Sequence, residues 1–162
     1  MHKLIRRALG LFLLGGALTL AGAAGAGAQA PATQVPIKVL RNPDGEAVAL
    51  VQVSVSGQPL TFVLDTGASE SVISRSLARS LHLPKAGRRR SSRSAGGQAV
   101  SQPVTVGNWQ IGSITLAART IASVKLGLGR DIGAVGLLGS DVLSTFGKVS
   151  IDYAHGILTL GG

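Results

Sequence analysis

The chain has 162 residues, enough for one domain with its own hydrophobic core, and it contains no cysteine. The lack of cysteine excludes disulfides and lipoprotein attachment. The formal net charge is +9 at pH 7, which is compatible with nucleic acid, a membrane surface or an acidic substrate as the partner.

The first 28 residues predict a secretory signal peptide. Lys3, Arg6 and Arg7 form a basic start, residues 8–20 are apolar, and small residues then lead to an A-x-A cleavage site ending at Ala28. The paired arginines also admit a twin-arginine route. The alternative is a retained membrane anchor, because no charged residue occurs from position 8 to position 37. We expect an exported protein, periplasmic or secreted, that meets a membrane only if this segment is retained.

Removal of these 28 residues takes away three basic residues and no acidic one, so the net charge falls from +9 to +6. An exported chain rarely meets nucleic acid, and we therefore predict no nucleic-acid partner. Much of the charge lies in one run, which consists of Lys85, Arg88, Arg89, Arg90 and Arg93. This run either selects acidic peptides or is a solvated loop without selectivity.

The remaining chain is predicted to begin with β-structure. It divides into a flexible lead, residues 29–36, and a folded domain, residues 37–162. A first short strand is followed by an Asn-Pro-Asp-Gly turn. Alternating valines in the next segment are typical of a half-buried strand. A hairpin turn then leads into an apolar return strand, residues 60–64, that runs directly into Asp65.

Two short helices are predicted among the later strands. Ser74 is placed to cap the first helix, with Leu77 and Leu81 on its inner face. The second helix is predicted over residues 140–146, capped by Ser140 or Asp141. The later β-segments are residues 100–106 and 109–116 as a hairpin, residues 121–124 as a strand, and residues 148–153 and 157–160 as a last hairpin. Many short strands with two brief helices predict an all-β, barrel-like domain.

The most informative feature is the turn sequence DTGAS at residues 65–69, together with the later apolar segment VGLLG at residues 135–139. Asp65 emerges from a buried strand. Burying a lone carboxylate costs several kcal/mol unless it is paired, hydrogen-bonded or protonated. We therefore interpret Asp65 as a residue that serves chemistry rather than packing.

These segments resemble two signatures of the retropepsins, the single-domain aspartic proteases of retroviral type. FVLDTGAS at residues 62–69 resembles their active-site motif, and VGLLGSDVL at residues 135–143 resembles the signature that leads into their C-terminal helix. The closing strands resemble those of bacterial relatives. The resemblance spans roughly residues 50–160. It implies an all-β fold, a closed β-barrel or acid-protease half-domain with one or two short helices.

The resemblance also implies a role for each motif position. Asp65 would be the catalytic carboxylate, and the Thr66 hydroxyl would bond to neighbouring backbone and tie two half-sites together. Gly67 would adopt a backbone geometry closed to residues with a Cβ and present its N–H to the carboxylate. The positions expected to contact substrate are Ala68 and Ser69 in the turn, and Ser94, Ala95, Gly96 and Gly97 at the tip of a flap over residues 88–100. The positions expected to support the turn from below are Leu137, Leu138 and Gly139.

One aspartate is insufficient for aspartic protease chemistry, because two carboxyl groups must share a proton for one to act as base and the other as acid. A chain with a single Asp-Thr-Gly therefore implies a homodimer with its site on the two-fold axis. The predicted activity is hydrolysis of peptide bonds in a peptide or protein substrate, without a metal or cofactor.

Two alternatives are a non-catalytic peptide-binding module on the same fold and a strand-rich envelope or scaffold protein without a groove. The intact motif favours the enzyme, because a pure binder gains nothing from bringing two carboxylates together. The other polar and aromatic residues receive structural interpretations: Asp131 in a loop, Asp141 at a helix start, Asp152 in a terminal strand, His82 and His155 without ligand-spaced partners, and Trp109 packed on a hairpin.

Overall fold

The computed structural model describes residues 31–94, 97–127 and 132–162. The predicted signal peptide, the flap-tip residues Ala95 and Gly96, and Asp131 lie outside the described residues. Within the described part, no helix has the length and apolar character needed to span a bilayer.

The described residues form twelve strands, two short α-helices and one 3₁₀ turn. The strands are β1 (Thr33–Arg41), β2 (Ala47–Val55), β3 (Gln58–Leu64), β4 (Val72–Ser74), β5 (Arg90–Ser94), β6 (Gly97–Val106), β7 (Trp109–Ile111), β8 (Ile114–Thr115), β9 (Arg119–Val124), β10 (Gly136–Leu138), β11 (Val149–Asp152) and β12 (Ile157–Leu160). The helices are α1 (Arg75–Ser80) and α2 (Ser140–Leu143), and the 3₁₀ turn (Ser144–Phe146) follows α2 directly. The all-β prediction with two brief helices is therefore confirmed.

The strands follow one hydrogen-bonded path, β11-β12-β1-β2-β3-β10-β4-β9-β6-β5, and β7 and β8 attach to β2. A closed barrel requires the two ends of such a path to pair with each other. Among the described residues β11 pairs with β12 and β5 pairs with β6, so the path stays open. The predicted closure of the barrel is wrong for the described residues, because the path ends in two separate hairpins, β11-β12 and β5-β6, whose outer strands do not pair with each other.

The core lies between the layers of this folded sheet and uses the alternating residues of the strands. Val51, Val53 and Val55 of β2 are fully buried, as their alternation predicts. Trp109 is buried as well, and its indole N–H donates to the Ala117 carbonyl at 2.9 Å. Its packing role is therefore confirmed.

The lead over residues 29–36 is shorter than predicted. Thr33–Arg41 is one continuous strand that changes partner part-way. Its first four residues pair with β12, from Thr33 opposite Leu160 to Pro36 opposite Ile157, and its remaining residues pair with β2. Val35 is buried. Backbone pairing to the far end of the chain holds this segment, and such pairing leaves no local signal in the sequence.

The predicted hairpin of residues 100–106 with 109–116 does not form. β6 pairs with β5 and β9, and β7 pairs with β2 and β8. The chain crosses between the two strands at Asn108, whose carbonyl accepts the N–H of Ser56 at 2.7 Å. Trp109 then lies opposite Val55 of β2. Burial of Trp109 and Ile111 against β2 replaces the local pairing.

The two helices match their predictions in place but not in every cap. The Ser74 hydroxyl oxygen accepts the N–H of Leu77 at 3.2 Å and so caps α1, as predicted. For α2 the capping residue is Gly139, and no side chain caps it. The prediction that Ser140 or Asp141 caps this helix is wrong, because both side chains bond to the turn after β3 instead.

Candidate active site

The turn at residues 65–71 lies at one edge of a three-strand arrangement. β10 lies between β3 and β4, parallel to the first and antiparallel to the second. The chain therefore leaves β3, passes the end of β10 and returns on its other side as β4. This crossing brings the turn against the junction of β10 and α2, which are about 70 residues further along the chain.

The Asp65 carboxylate is oriented by its own turn. Oδ1 accepts the N–H of Gly67 at 3.0 Å and the N–H of Ala68 at 3.1 Å. The Asp65 backbone N–H donates to the Leu138 carbonyl at 3.0 Å. Asp65 is half-buried, and the described residues provide no hydrogen-bond partner for Oδ2. One carboxylate oxygen is thus held by the backbone while the other remains available to a ligand.

Thr66 and Gly67 are exposed at the outer edge of this turn. The Thr66 hydroxyl has no hydrogen bond within the described residues, so the bond to neighbouring backbone that the resemblance implied is not made in one chain. Gly67 does not adopt a left-handed backbone, which corrects the prediction that it needs a geometry closed to other residues. Glycine instead provides room: a Cβ there would lie 3.3 Å from Asp65 Oδ1.

A buried hydrogen-bond network holds the far side of the turn. The Ser71 hydroxyl donates to Asp141 Oδ1 at 2.6 Å and accepts the N–H of Gly139 at 2.9 Å. The Ser71 N–H donates to the same carboxylate oxygen at 2.9 Å. Ser71 is 1 % exposed. The Ser71 side chain therefore joins the end of the turn, the end of β10 and the start of α2. We call these hydrogen bonds among Ser71, Gly139 and Asp141 the Ser71 network.

Glycine at position 139 permits the close approach of these segments. A Cβ there would lie 2.8 Å from the Glu70 carbonyl carbon and 2.9 Å from the Ala68 carbonyl oxygen, both of them backbone atoms. The Ala68 oxygen also accepts the Ser140 N–H at 2.8 Å and the Ser140 hydroxyl at 3.0 Å. Ala68, which the sequence assigned to substrate, thus has its carbonyl bound to α2.

Leu137 and Leu138 lie beneath the turn on β10. Leu138 is fully buried opposite Leu64, and Leu137 is half-buried between Val63 of β3 and Val72 of β4. The Leu138 carbonyl receives the Asp65 N–H described above. These positions form the floor on which the turn rests.

The predicted flap corresponds to the hairpin of β5 and β6. Ser94 lies opposite Gly97 in its register. Residues 97–101 of β6 pair with β5, whereas residues 102–106 pair with β9. The half of β6 that pairs with β5 therefore extends past the half that pairs with β9, so the hairpin projects from the sheet. The tip residues Ala95 and Gly96 lie outside the described part of the chain.

A cleft of about 380 Å³ adjoins the turn. Ser69 and Glu70 line it on the turn side, and Arg90 lines it from the hairpin. Arg119 and Asp141 line it from β9 and α2, with Arg119 Nη1 at 3.9 Å from Asp141 Oδ2. Ser69 therefore borders a cleft next to the turn, and the residues that line this cleft carry charges of both signs.

Sequence reasoning missed Ser71 and Arg119 and gave Asp141 a helix-end role alone. Asp141 is in the first turn of α2, as predicted, but its carboxylate is shared with Ser71 and faces Arg119. A serine two residues beyond the motif is an ordinary turn residue by composition. Its hydrogen-bond partner, Asp141, lies 70 positions away in the sequence, and no local pattern indicates this contact.

Asp152 and His155 form a separate turn at the last hairpin. Asp152 Oδ1 accepts the N–H groups of Ala154 and His155, both at 2.9 Å, and His155 Nδ1 lies 2.7 Å from Oδ2. The hydrogen bond from the His155 backbone N–H, together with that from its ring, lowers the pKa of Asp152. The structural interpretation of Asp152 is thus confirmed.

Comparison with known proteins identifies the family. The family described as aspartyl protease matches residues 51–142, which is more than half of the chain. The chain belongs to the aspartyl protease family. The matched region runs from β2 through the Asp65 turn and β10 to Val142 of α2, so it contains the first signature, the second signature as far as Val142, and the Ser71 network.

The fold is that of a retropepsin-like member of this family. The structure is similar to the crystal structure of a retropepsin-like aspartic protease from Rickettsia conorii, with a TM-score of 0.56 and 24 % sequence identity. The similarity covers 81 % of this chain and 99 % of that chain. No curated protein gives a significant match. The resemblance predicted from the two signatures is therefore confirmed at the level of family and fold.

Proposed function

We propose that this protein is an aspartic endopeptidase that hydrolyses peptide bonds between the Asp65 carboxyl groups of two identical chains. The observation that carries the proposal is the state of Asp65: one oxygen is held by two backbone N–H groups, and the other is free of partners in the described chain. Membership of the aspartyl protease family supports the same activity.

The reaction needs two carboxyl groups in opposite protonation states. The ionised carboxyl takes a proton from water as the water oxygen attacks the carbonyl carbon of the substrate, and the protonated carboxyl gives its proton to the carbonyl oxygen. Collapse of the tetrahedral intermediate breaks the C–N bond, and a proton passes to the departing nitrogen. Two carboxylates held close together share one proton readily, because both cannot be ionised without strong repulsion.

A homodimer is the simplest way to supply the second carboxyl group. The chain has one Asp-Thr-Gly sequence, and a two-fold axis would place two copies of it face to face. Thr66 and Gly67 are exposed at the edge of the turn, where such an axis would pass. The Thr66 hydroxyl, which has no partner in the described chain, is then available to the backbone of the second copy.

Export forms a further part of the proposal. The basic start, the apolar segment and the A-x-A sequence of residues 1–28 support secretion or a periplasmic location. Mass spectrometry of protein recovered from an expressing bacterium tests it. A mature chain starting at Gln29 supports export with cleavage, whereas an intact N-terminus in the membrane fraction supports the anchor.

The test of catalysis is cleavage of a diverse peptide library by the purified protein from about pH 3 to pH 8. The same assay is run on Asp65→Asn and on Asp44→Asn, which changes an exposed turn residue elsewhere. We expect a bell-shaped pH profile for the parent protein and for Asp44→Asn, and no turnover by Asp65→Asn.

Analytical ultracentrifugation of all three proteins accompanies the assay. Retained cleavage by Asp65→Asn would refute the assignment of Asp65. A parent protein that is dimeric but cleaves no peptide would instead favour a peptide-binding module on the same fold.

A further inference from the structure

A second cleft lies away from the Asp65 turn, between α1 and the strands β6 and β9. Its volume is about 400 Å³. Arg75 and Arg79 line it from α1, and Lys85 and Arg89 line it from the segment that leads to β5. We call this site the basic cleft, because four Lys or Arg side chains line it and none of the described acidic residues does.

Within the described residues, the cations of the basic cleft have no acidic partner. From position 71 to position 130 the sequence contains ten Lys or Arg residues and no Asp or Glu. In the described part of the chain, the ion pairs are Arg119 with Asp141 and His155 with Asp152. Neither of these pairs involves the basic cleft. Four like charges around one concavity repel one another, and an anion placed between them relieves that repulsion.

The basic cleft is held in place by backbone contacts. Lys85 forms a bridge with Val104 of β6, and the flanking bonds run from Thr105 N–H to the Pro84 carbonyl at 2.8 Å and from Ala86 N–H to the Pro103 carbonyl at 2.9 Å. The Arg75 guanidinium donates to the Val100 carbonyl across the cleft. Arg75 and Lys85 are therefore attached to the sheet by direct contacts.

The chemistry of the floor narrows the choice of ligand. Ala78 and Val104 are buried, and Leu83 is half-buried. A concave site with an apolar floor and a cationic rim fits an extended peptide that carries both carboxylates and apolar side chains. A lipid bilayer presents a flat anionic surface, which cannot enter a concavity. A smaller depression of about 290 Å³ shares Arg75 and Arg79 and adds Lys125, so the positive surface continues past the cleft.

We infer that the basic cleft is an exosite that binds an acidic segment of the protein substrate, a role that rests on the proposed protease activity. β4 joins the Asp65 turn to the basic cleft, with Ser71 of the turn before its first residue and Arg75 of the cleft after its last. Its three residues span about 10 Å in an extended strand. The bound acidic segment therefore lies at least about three residues from the scissile bond.

Binding is measured first, because it does not depend on turnover. A fluorescently labelled hexaglutamate peptide and a labelled hexaglutamine peptide are titrated into the full chain carrying Asp65→Asn, and anisotropy is recorded. We expect the hexaglutamate peptide to bind and the hexaglutamine peptide to bind at least about tenfold more weakly. We also expect the difference to shrink at roughly 0.5 M salt, where exposed charges are screened.

A triple variant and a charge-matched control locate the binding. Arg79→Gln/Lys85→Gln/Arg89→Gln removes three exposed cations from the basic cleft, and we expect a roughly tenfold loss of hexaglutamate affinity. The control, Lys38→Gln/Arg41→Gln/Lys148→Gln, removes three exposed cations elsewhere and should change affinity less than about twofold. An equal loss in both variants, or equal binding of the two peptides, would overturn the inference.

Kinetics then test the link to catalysis. Two substrates share one scissile sequence and differ in a hexaglutamate or hexaglutamine extension. We expect a higher kcat/KM for the acidic extension, and we expect the cleft variant to lose this advantage while it retains activity on the neutral substrate. If the protein cleaves neither substrate, the proposed activity fails and the binding arm alone decides whether the cleft takes acidic peptides.

Two further outcomes would count against the inference. Binding of hexaglutamate without a kinetic advantage would remove the exosite role. Sedimentation with phosphatidylglycerol vesicles that requires the cleft cations, in the absence of hexaglutamate binding, would assign the cleft to a lipid surface instead.

Discussion

Ser71→Ala tests how strongly the Ser71 network holds the Asp65 turn, residues 65–71. The substitution leaves the Gly139 N–H without its acceptor in a buried position, which costs about 1–3 kcal/mol. It also removes a 2.6 Å hydrogen bond to the Asp141 carboxylate, and a bond to a charged group contributes about 1.5–3 kcal/mol. Asp141 keeps the Ser71 N–H, and its side chain is 19 % exposed, so water replaces part of the loss.

We therefore expect Ser71→Ala to lower the free energy of unfolding by about 2–4 kcal/mol, a large part of the 5–15 kcal/mol typical of a domain. Urea unfolding followed by fluorescence measures this, because the chain has a single tryptophan, Trp109, in its core. Protein concentration is held constant, since association would add to the apparent stability.

Ser150→Ala serves as the control, because Ser150 is exposed on β11. We expect it to change stability by less than about 0.5 kcal/mol. A double-mutant cycle with Asp141→Ala should give a coupling energy of roughly 1–2 kcal/mol. A Ser71→Ala cost no larger than that of Ser150→Ala, with no coupling to Asp141, would refute the reasoning.

Three further substitutions test separate parts of the structure. Gly136→Ala places a Cβ 2.2 Å from the buried Phe62 ring, so we expect the free energy of unfolding in urea to fall by about 1–3 kcal/mol or more. The control Gly107→Ala, whose Cβ meets nothing within 4 Å, should be nearly neutral. Equal effects of the two substitutions would contradict the clash. Ser74→Ala removes the cap of α1 and should cost about 1 kcal/mol, whereas an unchanged midpoint would show that the cap contributes nothing. Asp152 has a lowered native pKa, so its stabilisation is fully present above the ordinary aspartate value of about 3.9 and is lost as pH falls through the lower native value. Asp152→Asn should therefore weaken the pH dependence of the free energy of unfolding in that range. An unchanged pH dependence in the variant would contradict this prediction.

Local patterns predicted elements better than they predicted partners. The alternating valines of β2 and the capping serine of α1 act over a few residues, and both predictions are confirmed. Alternation decides which face of a strand is buried, but it does not decide which strand lies beside it. The pairing of Trp109 with Val55, across 54 positions, and of Thr33 with Leu160 could not be derived from such patterns.

The same limit applies to the candidate site. The sequence indicated Asp65, because a carboxylate that follows an apolar strand is costly without a role. It did not indicate Ser71 or Arg119, because a serine in a turn and an arginine at the start of a strand are both ordinary. Their significance comes from Asp141, which the chain crossing at β10 brings to the turn.

The bonds that hold the Asp65 turn all lie within one chain. The Asp65 backbone N–H donates to the Leu138 carbonyl, and the Asp65 carboxylate accepts N–H groups of its own turn. The Ser140 hydroxyl donates to the Ala68 carbonyl. Contacts within the chain therefore hold this turn in place. In the proposed dimer, association has only to bring two ordered turns together, and it does not have to fold them. The entropy of ordering the turn is then offset by folding of the monomer, so it does not weaken the affinity between copies.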